Sequence, residues 1–179
     1  MGLGKTMVGV AGLLVCLIVG ASVALGAGSS GTPAGGRIQL FVQPGQKQGS
    51  GKVLLTGAVG DYGSTHSVTA EGKKIATATL TKGTIKLDIT AVSKKVNNAT
   101  PAVDNATCSA SVTVSAASPI LGGTGRYAGI HGTIKVTESV GFIGSTYKSG
   151  AKKGQCNTSS SGTTVAQIAV VSGSGTVSF

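Results

Sequence analysis

"TIKLDITAV", Thr84–Val92, places Ile85, Leu87 and Ile89 on one side of an extended chain and Thr84, Lys86, Asp88 and Thr90 on the other. Successive side chains of a strand point to opposite faces, so this period of two marks a half-buried strand. The pattern returns in "SASVTVS" (Ser109–Ser115), with Ala110, Val112 and Val114, and in "GTIKVTESVGFIG" (Gly132–Gly144), with Ile134, Val136 and Val140. Further strands are expected over Arg37–Val42, Lys52–Val59, Ser64–Ala70, Lys74–Leu80, Thr164–Val171 and Gly175–Phe179. No stretch beyond the N-terminal leader carries helical periodicity with caps, and the 30 Gly together with many Thr and Val oppose helix. Some eight or nine antiparallel strands with one apolar side close most readily into a sandwich or a small barrel. The polar run "SKKVNNATPAVDNATC" (Ser93–Cys108) is expected to be a loop, and its Asn98 and Asn105 sequons are read as turn residues rather than glycan sites.

The N-terminal segment sets the compartment. "MGLGKTMVGVAGLLVCLIVGASVALGAGSS" has one charge, Lys5, and then an uncharged run from Thr6 to Ala27, the pattern of a secretory signal peptide over residues 1–26. Cleavage after Gly26 or after Ala24 leaves small residues at the required positions. A retained membrane helix is the competing reading, and Gly, Ala and Ser crowding the second half of the run without a basic stop-transfer cluster speaks against it. Val15 before Cys16 does not suit a lipoprotein anchor, and "GKT" at Gly4–Thr6 is too near the start to complete a P-loop. Residues 27–36, rich in Gly and Ser, read as a flexible leader to one domain over 37–179.

Charge excludes little but ranks the partners. The chain carries 15 Lys and Arg against 5 Asp and Glu, a formal +10. The cations are scattered pairs, Lys73-Lys74, Lys94-Lys95 and Lys152-Lys153, and the three Phe and three Tyr are not interleaved with them. Nucleic acid is therefore not an expected partner, since neither stacking platforms nor a groove-reading motif is present. Weak attraction to an anionic cell envelope is the plainer consequence.

Export removes Cys16 and leaves Cys108 and Cys156 as an even pair in an oxidising compartment, which favours one disulfide. It would close a loop of 48 residues, for roughly 3–4 kcal/mol by the chain-entropy estimate. A catalytic thiol would need a base, and His66 and His131 lie in no nucleophile context. The Cys and His spacing fits no zinc pattern, so neither metal nor other cofactor is expected.

"GGTGRYAGIHGTI" (Gly122–Ile134) contains Gly123, Gly125 and Ala128 at the G-x-G-x-x-A spacing of a dinucleotide-binding turn. Such a turn must open a helix after a buried parallel strand. Here Gly129 and Gly132 interrupt any helix, and a Thr/Ile/Val strand follows at once. Gly122, Gly123, Gly125 and Gly132 are better explained by a tight turn and close backbone approach between two strands. Read as "GGTGRY" followed by "IHG", the segment resembles the glycine-rich motif of dirigent proteins, which share an eight-stranded barrel with the allene oxide cyclases. The chain after the leader also resembles small secreted proteins of Gram-positive, actinobacterial type, with "LLTGAVGDYG" and "KGQCN" as recurring pieces. The resemblance implies an all-β fold, a small closed antiparallel barrel of about eight strands behind a signal-peptide helix. It also implies a cavity in which relatives isomerise an epoxide or steer radical coupling.

Three polar groups share parity with apolar residues and are the candidates for chemistry inside such a barrel. Glu138 lies with Ile134, Val136 and Val140, Asp61 with Val53, Leu55 and Val59, and His66 with Val68 and Ala70. A carboxylate in an apolar alternation costs several kcal/mol unless something meets it, and displaced carboxylates and imidazoles are the material of acid–base catalysis. "GDYG" around Asp61 is also turn chemistry. The expectation is a secreted barrel that binds a small apolar ligand or a cell-envelope component, or serves as an interaction module. The alternative is an isomerase or coupling-directing enzyme working through Glu138 and Asp61. A C-terminal Phe179 also resembles the end of outer-membrane barrels, but Thr84, Lys86, Asp88 and Thr90 on the outer face and 3% aromatics suit neither lipid nor girdles. A water-soluble barrel, burying Val177 and Phe179, with no transmembrane anchor after cleavage, is expected.

Overall fold

The computed structural model describes residues 34–45, 47, 49–159 and 162–179; the expected signal peptide over 1–26 lies outside them. Eight strands form a closed barrel in sequence order. They are β1 (Gly36–Pro44), β2 (Ser50–Gly57), β3 (Asp61–Ala70), β4 (Lys73–Leu80), β5 (Gly83–Asp88), β6 (Ser109–Gly125), β7 (His131–Gly144) and β8 (Thr164–Ser178). Every neighbouring pair is antiparallel, and β8 closes the ring on β1 from Gly36↔Val177 to Val42↔Val171. Closure removes the exposed edges that an open sheet of this length would present.

The alternation read from the sequence becomes inside and outside. Ile38, Leu40, Val53, Leu55, Ala78, Leu80, Ile85, Leu87, Ile134, Val136 and Val177 are all buried and form one core, with Phe179 packed partly against it. Thr164–Val171 and Gly175–Phe179, read as separate strands, run together as β8 across Gly173 and Gly175. Those glycines face inward, where a Cβ on Gly173 would sit 2.8 Å from Ile134 Cγ2.

One element departs from the sequence reading. Residues Thr90–Asn97 form a helix, α1, where the sequence pattern continues a strand to Val92 and predicts a loop from Ser93. Asp88 supplies the start, its Oδ1 accepting the Thr90 N–H at 2.9 Å. Val92 is buried, and the Lys95 ammonium donates to the Ser115 carbonyl at 2.8 Å, fastening α1 to β6. A single Asx turn and two valines four residues apart were enough because tertiary packing, not propensity, stabilises a helix this short.

A meander of antiparallel strands sends alternate connections to opposite ends. At one end lie the β2–β3, β4–β5 and β6–β7 turns with the start of β1 and the end of β8. At the other lie the β1–β2 and β3–β4 turns, α1 and the long β7–β8 connection. The Cys108–Cys156 disulfide belongs to this second end, with Cα atoms 5.3 Å apart. It pins the β7–β8 connection to the start of β6, beside the Gly144 N–H that donates to the Cys108 carbonyl at 2.7 Å.

Candidate functional site

The two ends of the barrel are finished differently, and the glycine run explains the first. β6 ends in Gly122–Gly125, and the turn that follows carries Tyr127 and Ile130 into the barrel end, both fully buried. Gly123 leaves the room: a Cβ there would lie 2.5 Å from the Tyr127 carbonyl oxygen and 2.6 Å from that of Thr84. Gly125 turns the chain with φ +62°, which an L side chain adopts at a cost. The Arg126 N–H then donates to the Lys82 carbonyl at 2.9 Å, locking this turn onto the β4–β5 turn.

Beneath that plug sits Asp61, buried with 4% of its surface exposed. Its carboxylate accepts four hydrogen bonds. Oδ1 takes the Thr81 hydroxyl at 2.5 Å and the Tyr62 N–H at 2.8 Å; Oδ2 takes the Tyr127 phenol at 2.6 Å and the Lys82 N–H at 3.1 Å. Burial by itself would raise its pKa, but the donors from Thr81, Tyr127, Tyr62 and Lys82 outweigh it and hold the group at about 2. Tyr127 moves the other way, because burial and the hydrogen bond to Asp61 both favour the neutral phenol. A carboxylate with its acceptor sites taken and a phenol that stays protonated form a clamp, with no free lone pair directed at a ligand. Asp61 is thus inward, as its parity indicated, and serves to tie three turns together.

The opposite end is open. A cavity of about 360 Å³ enters between β1, β3, β4, β8 and α1, within the size range of small-molecule sites. Its deeper wall is apolar, with Leu40, Val53, Ala78, Leu87 and Val136, and its mouth is polar, with Ser50, Thr65, Ser67 and Gln167. α1 contributes Val92 and Val96 to one side. Glu138 stands on this wall, half-buried, paired across the strands with Val114 and Val171. Among the described residues its carboxylate has no hydrogen-bond or ion-pair partner.

His66 does not join them. On β3 the inward positions are Asp61, Gly63, Thr65 and Ser67, while His66, Val68 and Ala70 face solvent. The apolar Val68 and Ala70 suggested the opposite parity because β3 runs past a wet cavity mouth, where hydroxyls belong inside. The three candidates therefore separate: Glu138 in the cavity, Asp61 in the closed end, His66 on the outer surface. Sequence reasoning missed Tyr127, although a lone aromatic between Gly125 and Gly129 was a signal that something large must be accommodated in a tight turn. It also missed Lys74, which lies on the inward face of β4 with Ala76 and Ala78 and lines the same cavity.

Among the described residues no three His, Cys, Asp or Glu stand close enough to hold a metal ion. Compared with protein-family models, curated proteins and solved structures, the chain matches none.

Proposed function

We propose that this protein is a secreted barrel that binds a small, largely apolar molecule in the cavity between the β1–β4 wall and α1. The observation that carries the reading is the asymmetry of the barrel: one end is stoppered by Tyr127, Ile130 and the Asp61 clamp, while the other opens into about 360 Å³ of apolar-walled space. Filling that volume with side chains would have stabilised the protein, since cavities cost stability in proportion to their size. Binding is the function that compensates for leaving it open. The Cys108–Cys156 disulfide supports an oxidising compartment, and the hydrophobic leader supports export. The eight-stranded closure and the glycine run at a strand end support the likeness to dirigent and allene oxide cyclase barrels.

The placement of Glu138 favours a second reading, an isomerase that uses this carboxylate as a base in the cavity. Asp61 drops out of that reading because its oxygens are occupied at the far end. The experiment that separates folded ligand carrier from empty scaffold is native mass spectrometry of protein recovered from culture medium. The expected result is a mature chain beginning near residue 25 or 27, with a bound small molecule released by organic solvent. Protein that is retained in the cytoplasm, or is ligand-free however gently it is recovered, would overturn the proposal.

A further inference from the structure

We infer that the ligand carries opposite charges at its two ends: a cationic nitrogen that meets Glu138 and an anionic group that meets Lys74, joined by an apolar body. The inference rests on the binding reading above and adds the chemical class. Glu138 and Lys74 line one cavity from different sides, on β7 and β4, three steps apart in the ring of eight. They are not within ion-pair distance of each other, and among the described residues neither side chain has a partner. Val136 and Val171 neighbour Glu138, and Ala76 shares the inward face of β4 with Lys74, within a lining that also carries the polar Ser93 and Asn97.

Water satisfies such charges only while the cavity is wet. An apolar ligand entering would displace that water and leave a carboxylate and an ammonium desolvated without counter-charges, which is expensive. A ligand with only a cation would compensate one group and strand the other. A zwitterion with separated charges compensates both, and the apolar residues between them fit its middle. Thr65, Ser67 and Gln167 add hydrogen-bonding groups towards the mouth, the side that Lys74 shares at the start of β4. Chemical examples are ω-amino acids and short apolar peptides with free termini.

Isothermal titration of the full mature protein with four probes of one chain length tests this: 8-aminooctanoate, octylamine, octanoate and octanol. The expected order puts 8-aminooctanoate first, ahead of octanol by at least about tenfold, a difference of about 1.4 kcal/mol. Glu138→Gln should remove the advantage of the two amine-bearing probes and spare octanoate and octanol. Lys74→Gln should do the reverse, weakening the two carboxylates only. Unchanged melting temperatures show that either variant is folded. Equal binding of octanol and 8-aminooctanoate to the wild type overturns the charge pairing while leaving the apolar binding site standing. Binding of none of the four overturns both. An amine preference that survives Glu138→Gln overturns the role given to that carboxylate.

Discussion

Replacing Asp61 by Asn should flatten the acid limb of the protein's stability curve. The folded-state pKa of Asp61 is about 2 against an ordinary 3.8, and each pKa unit is worth 1.36 kcal/mol. The difference corresponds to about 2.5 kcal/mol of stability from this one carboxylate. Because the folded value is the lower one, the unfolded chain takes up the proton first as pH falls. The contribution is therefore complete above about pH 4 and is lost between about pH 4 and pH 2. Asp88 and Asp104 are also held below their usual range, Asp88 chiefly by hydrogen bonds from Thr90 and Asp104 by the Ala106 N–H. The wild type alone would therefore show a composite slope. Urea unfolding of wild type and Asp61→Asn, disulfide intact, at intervals from pH 7 to pH 2.5 isolates the Asp61 part by difference. The variant should be less stable by some 2–4 kcal/mol at pH 7, and the gap should narrow by about 1.5 kcal/mol towards pH 2.5. A gap that stays constant with pH would show that Asp61 is not held ionised by the Thr81, Tyr127, Tyr62 and Lys82 donors, and the closed end would need another explanation.

Five further outcomes follow from the same structure. Tyr127→Phe should cost about 1.5–3 kcal/mol, the range for a hydrogen bond to a charged group, and should move the acid transition upward in pH; thermal melts at pH 3 and pH 7 read both effects. Gly123→Ala should destabilise by about 1–3 kcal/mol, since its methyl would overlap the Tyr127 and Thr84 carbonyls, whereas Ser118→Ala should be neutral or stabilising by up to about 1 kcal/mol, because the buried Ser118 hydroxyl has no hydrogen-bond partner. Reducing Cys108–Cys156, or replacing both by Ser, should lower stability by roughly 3–4 kcal/mol in denaturant unfolding without opening the barrel. Deleting Gly175–Phe179 removes buried Val177 and its pairing with Gly36, so the shortened chain should melt well below the full one; an unchanged melting temperature would place the closure of the ring elsewhere.

The strands were legible because each inward position had to be apolar wherever the barrel is dry. That rule located Val53 and Leu55, Ile85 and Leu87, and Ile134 and Val136 from parity alone. It failed where the inside is not dry. Thr65 and Ser67 line the cavity while Val68 points out, and this inversion carried His66 to the wrong side. α1 was hidden for a different reason: Ile89 and Ala91 extend the period of β5 by chance, and the competing signal is only Asp88 beside Thr90. Glu138 was legible as a carboxylate among valines. Its separation from Asp61 was not, because which end of the barrel is stoppered depends on how the Gly122–Ile130 turn folds back. The 66-residue separation of Tyr127 from Asp61 leaves no local trace. The disulfide needed only compartment and parity of count, and the fold brings its Cα atoms to 5.3 Å.

If the open end of the barrel binds apolar molecules, a neutral apolar fluorophore will report it. N-phenyl-1-naphthylamine titrated into the purified protein should show saturable, one-to-one fluorescence enhancement. Ala76→Phe, which places a ring in the cavity on the inward face of β4, should abolish that signal while leaving the melting temperature within a few degrees of wild type. Enhancement that does not saturate, or that persists at full strength in a folded Ala76→Phe variant, would show that the open end is not a binding cavity.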